Sequence, residues 1–265
     1  MTVAGRYARL LGVQARMAVS IAAQYRADFV VQGVMSLYSL AWNLLPLVVL
    51  FSDRSAVAGW DFPSALVVIA WFVVLRGFLE GVINPSLVDV VERIRTGAFD
   101  YVLLKPADSQ FLVSTARFEP WRVIDVVGGV GLLVYAFVRI GHAPSAAEVA
   151  AGVLLLGAGV LALYSLWIAI VAASFWVVKL DNLTYLFDAV FDAARWPVQV
   201  FKGLWRILFT FILPLALMTT YPAMALLGRL RLGTAIACVA GALALAAGAR
   251  LNWRGAVRNY TSASS

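Results

Sequence analysis

SALVVIAWFVVLRGFLEGVIN, residues 64–84, is a run in which only Arg76 and Glu80 carry charge. A helix needs about 20 predominantly apolar residues to cross a hydrocarbon core, so this stretch reads as a membrane span. Outward from it, five more stretches qualify, at roughly 29–51, 122–140, 149–175, 203–220 and 233–249. The composition agrees: 63% of the 265 residues are hydrophobic, 13% are charged, and the mean hydropathy is +0.88. A soluble domain carries about 25% charge and could not hide so much apolar surface at this length. The expected fold is an all-α polytopic membrane protein with six transmembrane helices, a single domain over 1–265.

The 21 Lys and Arg outnumber the 14 Asp and Glu, for a net charge of +7. In a membrane chain this excess marks cytoplasmic loops and anionic headgroups. No basic run interleaved with aromatics points to nucleic acid. With a cytoplasmic N-terminus, sixteen of the 21 fall inside: Arg6, Arg9, Arg16 and Arg26, then Arg93, Arg95, Lys105, Arg117 and Arg122, then Lys179, Arg195, Lys202 and Arg206, then Arg250, Arg254 and Arg258. Four, Arg54, Arg139, Arg229 and Arg231, fall outside. Both termini are therefore expected in the cytoplasm, with residues 250–265 as a tail, and Trp60 and Tyr221 as interfacial anchors on the outer side. The opening MTVAGRYARL lacks the pattern of a cleaved signal, so the first apolar segment is expected to remain as a span.

Chemistry is sparse. The single Cys238 excludes an internal disulfide and a Cys-based metal cluster, and the single His142 removes most His-metal and His-base arrangements. No Gly-x-x-x-x-Gly-Lys-Ser/Thr loop occurs to cradle ATP phosphates. GGVG at 128–131 falls within a span, where small residues permit close helix packing. No catalytic residue, resident cofactor or metal site is expected on this chain. Arg76 and Glu80 lie one turn apart inside the second span, where charge is costly and often functional. They read either as a self-neutralising i,i+4 pair or as a polar lining of a translocation path. Asp181, Asp188 and Asp192 recur at helical spacing ahead of Arg195 and read as a solvated helix face, with a proton relay or metal site as the rarer alternative.

Residues 4–26 read as an amphipathic helix, part of an interfacial region over 1–28. Leu10, Val13, Met17 and Ile21 share a face, Arg9, Arg16 and Ser20 lie away from it, and Gln14 interrupts the pattern. Such basic amphipathic helices lie in the headgroup plane.

The loop after the second span, 84–121, opens with NPSLVDVVERIRTGAFDYVLLKPAD, residues 84–108. Ser86 suits an N-cap, with Asp89 in the first turn. Leu87, Val90, Val91 and Ile94 form an apolar stripe, and Gly97 stands at the C′ position. A short amphipathic helix outside the bilayer is expected, either lying on the membrane or docking into a partner's groove.

The string IRTGAFDYVLLKP resembles the signature of a six-helix permease group within the ABC-2 superfamily of type-2 ABC exporters, a subgroup once known only as a domain of unknown function. YRADF at 25–29, FILPLALMTTYPAMALLG at 211–228 and the tail WRGAVRNYTSASS resemble the same family in order and spacing. The resemblance implies a permease in the bacterial cytoplasmic (inner) membrane, paired with a second copy or a related permease. Two ATPase subunits, which hold the ATP and Mg, would dock from the cytoplasm. The same resemblance makes the loop a coupling helix and gives docking roles to Arg93, Arg95, Asp100 and Lys105. It also implies an outer re-entrant hairpin between spans five and six, placed at 214–230, with Pro214 and Pro222 as path candidates. The substrate class implied is amphiphilic or hydrophobic: lipid, drug or natural product. Two other classes lack the residues they require. An intramembrane lipid-modifying enzyme would need clustered His or acids at one depth. An ion-coupled carrier would call for midplane acids or an internal repeat, and no repeat is evident.

Overall fold

The computed structural model describes residues 3–24, 26–175, 191–212 and 214–260. Expectations placed on Lys179, Asp181, Asp188 and the last five residues lie outside the described residues. Among the described residues, five helices are long and apolar enough to cross a membrane. These are Val30–Leu50 within α2 (Arg26–Leu50), then α3 (Phe62–Arg95), the segment Pro120–Ile140 containing α6 (Val123–Ile140), α7 (Ala146–Ala173) and α9 (Leu232–Arg258). Ahead of them lies α1 (Val3–Gln24), and α4 (Asp100–Leu103) and α5 (Ser109–Ser114) lie between α3 and α6. In lipid only internally bonded backbone is stable, which accounts for helix nearly throughout. Among the described residues, the one sheet is a two-residue hairpin pair, β1 (Ala56–Val57) with β2 (Trp60–Asp61). Ala58 and Gly59 form its turn at φ +51° and +84°, the twin left-handed residues that a tight hairpin needs. Trp60 is buried there, not displayed as an anchor.

The helices divide sharply by burial. In its most apolar window, α3 is 78% buried, against 17% for each of the outer helices α2, α6 and α9. The central helix is therefore α3, and the others turn apolar faces outward, as lipid as solvent permits. Small residues set the closest contacts. A Cβ on Gly129 of α6 would stand 2.6 Å from Val74 Cγ2 and 2.9 Å from the Ala70 oxygen of α3. A Cβ on Gly77 would meet Val126 at 2.8 Å. This is the close helix packing expected for GGVG.

Three sequence expectations need correction. The second span and the loop helix are one continuous helix, so Ser86 is not an N-cap. Its hydroxyl is fully buried, donates to the Arg117 carbonyl oxygen at 2.7 Å and accepts from the Arg117 N–H. Continuity past Pro85 is possible because Leu79–Ile83 is wound as a π turn, in which Asn84 N–H reaches the Leu79 oxygen. The wider turn accommodates the proline, whose missing N–H would break an α ladder. Second, residues 203–220 do not form one span-length helix. Helical pieces at Leu204–Ile207 and Leu208–Ile212 give way before Pro214, which begins a new helical piece as acceptor to Leu217 and Met218. That piece runs through a π turn, Ala216–Thr220, into α8 (Tyr221–Leu226) and packs on α7, where a Cβ at Gly159 would lie 3.1 Å from the Met218 Cα. Third, α9 continues to Arg258, nine residues past its expected end at 249.

Candidate functional site

The loop signature separates into two parts. Along the last turns of α3, Leu87 and Val90 are fully buried and Ile94 nearly so, within the main core; Val91 packs against that core from its edge. The apolar stripe expected to meet a partner thus faces this chain's own interior. Its charged residues pair locally: Asp89 with Arg93, and Glu92 with Arg95 at 2.8 Å. Gly97 ends the helix at φ +75°, the left-handed conformation expected at that position. Beyond it, Phe99 is fully buried, whereas Tyr101 and Leu104 are 71% and 80% exposed, together with Leu103 and Lys105. The exposed tip is held from beneath by edge-to-face contacts of Phe99 with Phe175, Trp253 and Tyr260, at 5.3, 6.1 and 5.4 Å. Four aromatics therefore fix the loop to the ends of α7 and α9. Burial, and next to it Asp100, raise the Tyr260 phenol above its ordinary pKa.

A second fastening follows directly. Asp108 caps α5, accepting from Phe111 N–H at 3.0 Å, and forms a two-pronged ion pair with Arg250 of α9. Arg250 also donates to the Gln110 Oε1 at 2.7 Å, Gln110 donates to the Tyr164 hydroxyl at 2.9 Å, and Trp253 Nε1 donates to Ser109 at 3.2 Å. The Asp108 N–H donates to the Tyr7 hydroxyl of α1 at 3.0 Å. The Arg250 guanidinium holds the Asp108 carboxyl below the usual carboxylate range. Planar, bidentate pairing of this kind fixes direction as well as distance. The loop, α1, α7 and α9 are thereby joined through one short helix.

Arg76 and Glu80 are paired at 2.7 Å, but they belong to something larger. Glu80 also pairs with Arg122, which reaches Asp125 at 3.4 Å and Glu119 at 3.7 Å. On the other side, Arg76 meets Asp192 at 3.6 Å, and Asp192 binds Arg195 at 2.8 Å. Three arginines and four acids from α3, α6 and the flanking turns thus form one chain of opposite charges. Charge at membrane depth is retained only with such partners. Of the other path candidates, Pro214 starts the helical piece described above, and Pro222 is buried in the first turn of α8. Thr219 donates to the Ala194 oxygen at 2.7 Å and Thr220 accepts from the Val198 N–H at 3.1 Å, which ties this piece to the segment after Asp192. Among the described residues, no group of His, Cys, Asp or Glu is arranged to hold a metal ion.

Reading the sequence missed Asp108, Arg250, Phe99 and Arg122 as organising residues. Asp108 had a usable local signal, an Asx cap ahead of SQFLV. The others are organised by partners far along the chain, from Glu80 for Arg122 (42 positions) through Asp108 for Arg250 (142) to Tyr260 for Phe99 (161), and no local pattern announces them.

A family model described as ABC-2 family transporter protein matches residues 37–264. No curated protein and no solved structure matches the chain.

Proposed function

This chain belongs to the ABC-2 transporter family and is a permease component of an ABC transporter; we propose that it is the membrane half of an exporter, driven by separate ATPase subunits that dock on the loop tip Tyr101–Lys105. In this reading both termini and the loop are cytoplasmic. Two permease chains enclose the path in a bacterial inner membrane, and the cargo is an amphiphilic or hydrophobic molecule moved outward by alternating access. ATP and Mg are held by the partner.

The observation that carries the docking reading is the contrast within the loop: an exposed apolar and cationic tip mounted on fully buried Phe99. A surface that transmits force must combine accessible contacts with a rigid base, since a soft base absorbs the displacement. Tyr101, Leu103 and Leu104 supply contact area, while Lys105 and the nearby Arg93 and Arg95 supply charge for register. The stripe Leu87, Val90 and Ile94 serves as part of the base. From the base, displacement has two routes into the bilayer: up continuous α3 toward the Arg76–Glu80–Arg122 chain, and through Asp108–Arg250 into α9.

The test is purification in mild detergent. The chain is expected to carry with it a soluble ATPase bearing a phosphate-binding loop. Tyr101→Asp with Leu104→Asp should cut that association about tenfold while leaving the yield of permease unchanged; Arg93→Glu with Arg95→Glu should weaken it less. A chain that moves substrate alone, without ATP, overturns the reading.

A further inference from the structure

At the start of α9, at the far end of that helix from the loop, the fold leaves a cavity of about 440 Å³ that the docking argument does not use. Arg206, Arg229 and Arg231 line it, and no acid does. Among the described residues none of these three guanidiniums is ion-paired, whereas Arg76, Arg122 and Arg195 of the charge chain all are. All three are exposed, so their N–H groups are open to a ligand. Glu148, which approaches the turn at Gly228, is already committed to the Ser145 cap of α7. The start of α9 adds to the positive potential. Its first backbone bonds run from the Thr234 and Ala235 N–H groups to the Arg231 oxygen, no side chain caps it, and its first turn holds no acid. The Leu232 and Gly233 N–H groups thus stay outside the helical ladder, at the helix end that favours anions. The Tyr221 and Thr234 hydroxyls also line the cavity.

The charge count of the sequence puts Arg206 in the cytoplasm. The fold instead sets it beside Arg229 and Arg231, because residues 203–212 do not cross as one helix. From Leu232 to Arg250, where α9 meets the loop at Asp108, eighteen positions rise about 27 Å at roughly 1.5 Å each. That is close to the roughly 30 Å thickness of the hydrocarbon core, so cavity and loop lie at opposite membrane surfaces. Apolar surface flanks the cavity, since Leu204, Trp205, Ile207, Leu232 and Ile236 are all more than half exposed. An exposed tryptophan beside arginine is the pairing expected at a headgroup boundary.

We propose that this cavity binds the phosphate of an anionic phospholipid, such as phosphatidylglycerol, in the leaflet opposite the loop, with the acyl chains along Leu204, Ile207 and Leu232. Guanidinium forks match phosphate oxygens in pairs, and three of them without an acid suit a headgroup of net negative charge. A choline headgroup carries its own cation, which neutralises the phosphate and is repelled by the arginines. A free phosphate has the charge but nothing to cover the apolar flank. The site requires only that the chain sit in a bilayer, and it stands whether or not an ATPase docks.

The experiment uses the full chain in nanodiscs containing a photoactivatable phosphatidylglycerol, with labelled peptides mapped by mass spectrometry. Labelling is expected to concentrate on residues 204–210 and 221–234. A phosphatidylcholine probe of the same acyl composition should label these peptides at least fivefold less. Arg229→Gln with Arg231→Gln should reduce labelling about tenfold, and Arg206→Gln, on a separate segment and independent of the α9 turn, about threefold. Arg54→Gln with Arg139→Gln, at the same end of the molecule but outside the cavity, should leave labelling unchanged. Millimolar inorganic phosphate should leave most of it in place. Equal labelling by the choline probe, an equal loss in the Arg54/Arg139 variant, or complete displacement by inorganic phosphate overturns the proposal. So does undiminished labelling in cavity variants that elute and melt like the parent chain.

Discussion

The two halves of the loop signature, 84–98 and 99–106, are built from similar residues and have opposite fates. Both alternate aliphatic and charged side chains, and from the sequence both could line a docking knob. In the first half the aliphatics turn inward, because the helix that carries them is the continuation of the buried span α3 and inherits its orientation. In the second half Gly97 reverses the chain, Phe99 takes the inward position, and Tyr101, Leu103 and Leu104 are left outside. The difference teaches that a force-receiving element needs two kinds of apolar residue, one kind to be gripped and one kind to grip. Periodicity alone does not tell them apart.

The comparison is broken most severely at Val90. Val90→Asp places a carboxylate in a fully buried position at a cost of several kcal/mol, and little folded permease should be recovered by size-exclusion chromatography in detergent. Equal yield from Val90→Asp and from the Tyr101/Leu104 double variant would mean that the two halves do not differ as described. A moderate effect is expected at the tether. Arg250→Gln removes charge-assisted hydrogen bonds of about 1.5–3 kcal/mol, lowering Tm by roughly 5 °C, and the exchanged pair Asp108→Arg with Arg250→Asp should recover part of it. No recovery would mean that Arg250 acts through packing alone. The smallest effect is on pH dependence. Because pairing depresses the folded pKa of Asp108, its contribution is present above the ordinary value of 3.8 and is lost as pH falls through the depressed one. The Tm difference between the parent chain and Asp108→Asn should therefore be constant from about pH 8 to 5 and shrink only below about pH 4. A difference that fades near neutrality contradicts the assignment.

The same pair of regions shows why some features were readable and others were not. The left-handed Gly97 was legible because helix termination is a local backbone event, dictated by one residue without a Cβ. The Arg76–Glu80 pair was legible for the same reason, since i,i+4 spacing puts both on one helix face. The N-cap assigned to Ser86 failed because a serine followed by an acid in the next turn signals a helix start only if the chain before it is not already helical. A π turn at 79–83 removed that condition. The end expected for α9 at 249 failed because apolar length was the only local guide, whereas Arg250 and Trp253 are held in helix by Asp108 and Phe99 from far along the chain.

The sequence by itself determined that the chain lives in lipid, that it is helical, and which family it belongs to, because hydrophobic length and a short motif are properties of contiguous residues. Only the tertiary structure decided which helix is central, which face of the loop is offered outward, and how Arg76 and Glu80 are neutralised through Arg122 and Asp192. Those outcomes depend on which side chains share space after the backbone has folded, and partners over a hundred positions apart, such as Asp108 and Arg250, leave no mark on each other's local sequence.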